Sequence, residues 1–585
     1  MDINKRSILW IVFAVSLVIL WNNWMISTGK PSMFAPAPAK PVASASASAT
    51  AAGTPAAVAA SAAAAATTDA VAAPVKTEIV TITTDVMRVD IDTLGGTIKR
   101  LELLKHKGSS DPGWMNGCWG LFEFCKPKGG EQTEVLFTEN GKHTYLGETG
   151  LVNAPGVVGP ALPNHQTAFV AKPGARMLND ANQVQLVLEA EQGGVKLTKT
   201  FTFKKGDYVV DVQHTVTNTS AAPVAPQLYL QLKHDGTQPP SSGFMSAGGF
   251  IAPSMYTSES KYKKYEFKKI EKDAETQKEN PGKPFTPDHV TKADDGWVAI
   301  AQHFFVSAFV PQDKLPRDIF TKKEGENLYS IGVVQPLGTL APGASVTNNA
   351  KLYSGPQNTE ALKQVTEGLD LVKDYGWLAI VARPMWAAMD AIHSVVGNWG
   401  WTIIAFTIAI KLLFFPLSAA SFRSMAKMKT VTPKMTAIRE RYKGDPQKMN
   451  QAMMELYKTE KINPLGGCLP ILVQMPVFIA LYWVLNASVE MRGAPWALWI
   501  TDLTQHDPWA ILPVLYAISM YITTRLNPQP ADPVQAKMMM FMPIAFSVMF
   551  FFFPSGLVLY WVVNNLLSIA QQWVITKKLE VGVAK

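Results

Sequence analysis

Residues 401–417 read WTIIAFTIAIKLLFFPL, and a single charge stands in that apolar run, Lys411. The run approaches the roughly 20 apolar residues that a helix needs to cross hydrocarbon. A lysine held there must find a carboxylate, snorkel to the headgroups or face water. No Asp or Glu occurs in any of the six membrane-length apolar segments, residues 8–26, 398–419, 466–487, 509–525, 538–553 and 556–576. An ion pair and a carboxylate proton relay are therefore disfavoured. A hydrated groove inside a membrane bundle is the reading followed here, with snorkelling as the alternative because Lys411 falls in the inner half of its segment. Thr407, one turn earlier, shares its face and favours the groove.

The whole chain is less apolar than this segment. Its 585 residues are 48% hydrophobic with a mean hydropathy of +0.07, a net charge of +8 and a pI near 9.0, so a large soluble part must accompany the bundle. Lys5 and Arg6 precede the first apolar segment and no small-residue cleavage site follows closely, which predicts an uncleaved signal anchor over residues 1–28 with its N-terminus inside. Residues 29–75, rich in Ala, Pro and Ser, cannot bury a core and are predicted to be a tether.

Over residues 76–353 the hydrophobic period becomes two, as in Val184, Leu186 and Leu188, in Val195, Leu197, Phe201 and Phe203, and in Val210, Val212 and Val216. Short alternating runs broken by Gly, Pro and Asn predict a large antiparallel β-sandwich with hardly a helix in it. The charged stretch 261–283 is expected to be a solvated loop or hairpin. Residues 354–397 have helical pattern but carry Arg383, Pro384 and Asp390, so they are predicted to lie at the outer surface as amphipathic helices.

Charge sets the orientation. Residues 418–465 hold ten Lys/Arg against four Asp/Glu, whereas 488–508 hold one against three. Basic loops stay inside. Spans at 398–419, 466–487, 509–525, 538–553 and 556–576 then place loops 420–465 and 526–537 and the tail 577–585 inside, and loop 488–508 outside. The fold class expected is a membrane bundle of six transmembrane helices, five of them forming the core, plus a large all-β sandwich outside.

Polar residues stripe three spans: Thr407, Lys411 and Ser418; Gln474, with Phe478 and Tyr482; and Trp561, Asn565, Ser568 and Gln572, with Tyr560 and Asn564 beside them. They could enclose the groove or simply tie helices together. The inner loop splits at Lys443-Gly444-Asp445-Pro446 into a basic helical hairpin. It carries Met425, Lys427, Met428, Met435, Arg439, Met449, Met453 and Met454, and its methionines suit either varied apolar partners or the packing of the hairpin itself. Of three cysteines, Cys118 and Cys125 could close a small disulfide loop outside, and Cys468 reads as a packing residue. No metal spacing and no phosphate-binding G-x-x-x-x-G-K-[ST] occurs.

The stretches NWGWTIIAFTIAIKLLFFPL, MAKMKTVTPKMTAIRERY, INPLGGCLPILVQMPVFIALYWVL and FPSGLVLYWVVNNLLSIAQQ together closely resemble the YidC family of membrane protein insertases, in order and without large gaps from about residue 374 to 575. The layout of the rest resembles the Gram-negative form, whose periplasmic domain is a β-supersandwich similar to galactose mutarotase. The resemblance implies an inner-membrane, non-enzymatic protein without cofactor. Five core helices would surround a hydrophilic groove open to cytoplasm and lipid. The implied partners are nascent membrane proteins, the ribosome, the Sec translocon and the lipid bilayer, with no nucleotide and no nucleic-acid sequence recognition.

In that family the groove charge is usually arginine, and the matching position here is Lys411, which keeps the charge and loses the planar fork. Substrate-contacting positions of the family fall on Thr407, Met475, Phe478 and Trp561, the last usually tyrosine. Gln474, Tyr560 and Asn565 complete the expected groove. Two other classes remain: a transporter or channel, which the missing carboxylates disfavour, and a tethered carbohydrate-active enzyme, for which His214, His234, His303 and Asp211 qualify only by residue type.

Overall fold

The computed structural model describes residues 77–108, 133–141, 143–238, 250–442, 444–460, 469–527 and 533–583. The expected anchor, the tether, Cys118, Cys125 and Cys468 lie outside the described residues.

Alternation builds the sandwich. In the strand Gln183–Gln192 every second residue is buried, and its neighbour Val195–Lys204 pairs antiparallel so that Val184 faces Phe203 and Leu186 faces Phe201. Inward rows of this kind, each large apolar side chain contributing about 2 kcal/mol on burial, make a sheet with one face committed to a core. Two such sheets are present. One has ten strands and runs from Ile79–Thr83 through Met87–Asp92, Thr97–Lys107, Thr144–Asn153, Pro226–His234, Leu328–Pro336 and Arg317–Gly325 to Lys292–Ala293. The other has nine, with Val209–Asn218 between Val195–Lys204 and Ser345–Pro356 near its centre. All strand pairs named in the two sheets are antiparallel, and one continuous apolar core lies between them.

The charged stretch 261–283 is not a loop or hairpin. It forms a short strand, Lys261–Lys264, and then helix α1, Phe267–Glu279. Phe267 and Ile270, three residues apart, are buried on one face, and Glu271 beside them accepts from Lys323 at 2.5 Å and from the Tyr329 hydroxyl at 2.6 Å. One turn of apolar residues among lysines was enough to seat a helix. The outer face of the nine-stranded sheet is covered as well, by α2 (Thr359–Val365) and a 3-10 turn at Leu369–Val372 that buries Leu362, Leu369 and Val372 against Tyr256 and Trp297.

Helices dominate from Ala379 onward. They are α3, Ala379–Val396; α4, Trp399–Leu413; α5, Phe415–Arg441; α6, Pro446–Thr459; α7, Leu469–Ala487; α8, Ile511–Leu526; α9, Pro533–Met549; and α10, Ser555–Val583. The expected span 398–419 is therefore not one rod: it breaks at Phe414, and α4 and the following helix differ in direction by 67°. Pro416 in the first turn of α5 explains the break, because its ring cannot continue α4 and it has no N–H for the carbonyl of Leu412.

Among the described residues no single helix is long and apolar enough to cross a membrane; the bent pair Trp399–Leu413 and Phe415–Met428 meets that test together. Gln474–Ala487, Ile511–Leu526 and Met540–Phe552 are shorter apolar helices. Leu412, Leu413, Phe541, Phe546, Phe552, Leu566 and Trp573 nevertheless stand exposed on α4, α9, α10 and the 3-10 turn after α9. Exposed apolar surface on this scale calls for an apolar solvent or partner.

The loop between α7 and α8 closes one end of the bundle. Asp507 accepts from Leu512 and Trp509 backbone N–H groups at 2.7 and 3.0 Å and from the Trp499 indole at 2.9 Å, while the Ser555 N–H donates to the Gln505 carbonyl at 2.7 Å. Asn398, the N-cap of α4, donates from its amide to the carbonyl of Pro495 in the same loop at 3.0 Å. Gly400 completes the joint, since a Cβ there would lie 2.1 Å from the Trp496 ring.

Candidate functional site

The bend at Phe414 opens a small cleft where α4, α5 and α7 meet, lined by Lys411, Phe414, Ser418, Gln474 and Val477 among others. Lys411 is buried, and its ammonium donates to the Ser568 hydroxyl of α10 at 2.7 Å. Ser568 in turn donates to the carbonyl of Asn564 at 2.7 Å, the i−4 bond that a helix offers a serine. From α7, the Gln474 amide donates to the Asn564 side-chain oxygen at 2.5 Å. Three helices distant in sequence thus converge through Lys411, Gln474, Asn564 and Ser568. Among the described residues no carboxylate stands within ion-pair distance of Lys411. The charge is met only by a neutral dipole and by whatever enters the cleft.

The polar stripe expected on the last helix divides in two. Asn564 and Ser568 bond to the cleft-lining Gln474 and Lys411, whereas Asn565 donates to Ser519 of α8 at 3.2 Å and Gln572 donates to the Leu526 carbonyl at 3.4 Å. Asn565 and Gln572 therefore hold α10 to α8. Thr407 shares a face with Lys411 but is buried, and its hydroxyl donates to the Ile403 carbonyl at 2.6 Å, so it is satisfied within its own helix. Tyr560 is buried in the bundle core.

Further along the bundle, Phe478 of α7 meets Trp561 of α10 with ring centroids 4.8 Å apart, and Trp561 also contacts Tyr516 and Phe550 at 6.0 and 5.9 Å. Met475 lies 45% exposed on α7, one residue from Gln474 and one turn from Phe478. A polar corner and an apolar, partly exposed track consequently share α7. Pro476 lies between them and removes one backbone N–H from that helix.

The hairpin of α5 and α6 forms around Asp445, which accepts from the N–H groups of Gln447 and Lys448 at 3.1 Å with Pro446 in the first turn. Lys434 of α5 pairs with Glu460 beyond α6 at 2.6 Å. Met425, Met428, Met435, Met449 and Met453 are half-buried, as is Arg439, while Met454 and Lys427 are exposed. Among these methionines Met454 presents the most apolar surface, 57% exposed.

The four residues considered for carbohydrate chemistry do not converge. His214 points into the sandwich core, where its Nε2 lies 2.9 Å from the Thr149 hydroxyl. Asp211, three residues away on the same strand and hence on the opposite face, pairs with Lys204 at 2.7 Å. His234 stacks on Phe267, and His303 sits edge-on to Phe304. Among the described residues no group of His, Cys, Asp and Glu could hold a metal ion.

Comparison with known proteins places both halves. A family model described as 60Kd inner membrane protein matches residues 391–582, and one described as YidC periplasmic domain matches residues 121–388. The membrane protein insertase YidC of Herminiimonas arsenicoxydans is 54% identical over 606 residues, which cover 100% of each chain. That of Janthinobacterium sp. (strain Marseille) is 54% identical over 600 residues, covering 99% of each. A crystal structure of an active YidC insertase with its first transmembrane domain resolved aligns with 84% of this chain and 91% of its own at 19% identity, with a TM-score of 0.37, too low to carry an argument.

Proposed function

The chain belongs to the YidC family of membrane protein insertases, and from that premise we propose that the cleft beside Lys411 receives the polar end of a nascent membrane segment before the segment enters lipid. The family makes it an inner-membrane protein with a periplasmic domain. The observation that supports the cleft as the route is the Lys411 ammonium, buried at the bend between α4 and α5 and answered, among the described residues, only by the Ser568 hydroxyl. A lysine has three donors and a compact, strongly hydrated charge, so it draws water or anionic groups into the space beside it.

Water in that space lowers the barrier to moving polar chain across hydrocarbon. In dry lipid each unsatisfied backbone group costs several kcal/mol. In the proposed sequence, the basic hairpin of residues 420–465, with Met454 exposed, meets the emerging chain on the cytoplasmic side, where the ribosome and in some cases the Sec translocon would deliver it. The polar tail enters near Lys411 and Gln474. The apolar segment then moves along Met475, Phe478 and Trp561 into the bilayer. Burial of about 20 apolar residues supplies the driving force. No nucleotide is needed. This reading puts both termini in the cytoplasm and the sandwich outside, and the basic excess of loop 418–465 supports it.

Photo-crosslinkers placed at Met475, Phe478 and Trp561 test the route against a stalled single-span nascent chain. Adducts at all three support it. Absence of adducts at all three, with the chain still inserted, sinks it.

A further inference from the structure

A buried charge pair lies at the far end of the helix that carries Gln474. The Lys373 ammonium is 3.2 Å and 3.4 Å from the two carboxylate oxygens of Glu490, and the Asn358 amide donates to the same carboxylate at 3.4 Å. Only 1% of the Lys373 side chain and 15% of that of Glu490 is exposed. Glu490 stands three residues beyond the end of α7, in the 3-10 turn Val489–Met491.

The network continues from Lys373 into the bundle. Its ammonium sits 4.0 Å above the Trp386 ring of α3, a cation–π contact. Trp386 stacks on Trp399 at 5.3 Å, and Trp399 opens α4, the helix of Lys411. His393 of α3 stacks on the same Trp399 at 3.9 Å. Close to Lys373, Gly376 has φ +64° and lies against Trp483 of α7, where an added Cβ would come within 2.9 Å of the indole. One buried pair therefore joins the outer end of α7 to the outer end of α4 by way of α3.

We infer that Lys373 and Glu490 are positioning residues for insertion: their pair sets the spacing of α4 and α7, the two helices that bring Lys411 and Gln474 to the cleft. Neither residue touches the cleft. A rigid helix turns a small displacement at one end into a displacement of its other turns, so loss of the pair is read at the cleft. Lys373 and Asn358 follow the last strand of the sandwich, Ser345–Pro356, in the segment that covers the nine-stranded sheet, so the pair sits where the sandwich meets the helices. The inference rests on the cleft being the substrate route only for its effect on insertion, and not for its effect on geometry.

Spin labels at the exposed positions 412 on α4 and 475 on α7 report the spacing in full-length protein. Glu490→Gln is expected to broaden and shift the distance distribution and to slow single-span insertion severalfold, because it leaves the Lys373 charge buried and uncompensated. Lys373→Met combined with Glu490→Leu leaves no unpaired charge, so it supplies the measurement even if the single variant fails to accumulate. It is expected to accumulate normally yet keep the altered spacing. A wild-type distance distribution in the double variant overturns the inference. Altered spacing with wild-type insertion, while Lys411→Ala is impaired, removes the functional part and leaves the cleft standing. Altered spacing with wild-type insertion in both the double variant and Lys411→Ala removes the functional part and excludes a necessary charge in the cleft.

Discussion

Lys411 on α4 and Ser568 on α10 are 157 residues apart in sequence and 2.7 Å apart in space. Ser568 accepts from the ammonium and donates to the Asn564 carbonyl, which leaves two ammonium donors without an acceptor among the described residues. The cleft is where those donors can be satisfied.

Removing that charge is expected to impair insertion. Lys411→Ala lowers the rate for single-span substrates with polar tails by about tenfold, the scale of one hydrogen bond to a charged group, whereas Lys411→Arg retains activity. Proteoliposome insertion followed by protease protection measures it. Wild-type rates for Lys411→Ala exclude a necessary charge.

The sandwich is expected to gain stability as pH rises. Lys199 is fully buried in an inward row, donating to the carbonyls of Gly95 at 2.6 Å and Thr149 at 2.7 Å, with Leu188 and His214 as its cross-strand neighbours and Phe169 4.7 Å away. Burial pushes its ammonium down to about 7 from 10.5, with the Glu148 carboxylate opposing the shift. The unfolded chain therefore binds the extra proton between about pH 7 and 10.5, and stability rises with pH through that window. His214, pushed to about 3 by burial and by Lys199, works in a lower window: stability falls as pH drops from 6.5 toward 3. Near-UV circular dichroism melts at a series of pH values check both. Lys199→Met should flatten the alkaline rise, and an unchanged slope in that variant removes Lys199 as its source.

Gly400 is expected to tolerate no side chain. A Cβ 2.1 Å from Trp496 forces apart α4 and the loop that closes the bundle, at a cost of about 1–3 kcal/mol for overpacking. Gly400→Ala should lower the thermal midpoint of detergent-solubilised protein by several degrees. Gly444, whose added Cβ would meet nothing within 4 Å, is the control.

Deleting most of the sandwich is expected to leave insertion largely intact, because the cleft and the Lys373–Glu490 pair both lie beyond its last strand. The shortened chain loses Glu134, the partner of Arg492 at 3.0 Å, and exposes Val489, which packs into the sandwich core. Complementation of a depleted strain tests this. Complete loss of growth with normal accumulation places the sandwich in the core mechanism.

The amino-acid sequence reveals Lys411 readily, because a charge in an apolar run has few physical outcomes. It reveals the sandwich for a related reason: a strand with one buried face must alternate, and Val184 to Leu188 and Leu197 to Phe203 do. Which face of the last helix meets which neighbour is less accessible. Asn564 and Asn565 are adjacent in sequence but point about 100° apart on a helix, and only the positions of α4, α7 and α8 send one to Gln474 and the other to Ser519. Helix α1 escaped notice because Phe267 and Ile270 make a single apolar turn within a charged stretch. The pair of Lys373 and Glu490 left no local trace, since it joins residues 117 positions apart.

Pro416 also ties the two ends of the machine together mechanically. Helix α5 runs from Phe415, beside the cleft, past Pro433 to Arg441 at the turn of the hairpin, about 40 Å at 1.5 Å per residue. The break at Phe414 is its fulcrum, and Phe414, Leu417 and Ser418 at its short arm line the cleft. On the proposed route, a load that a captured chain puts on the tip of the hairpin is a torque at the mouth of the cleft.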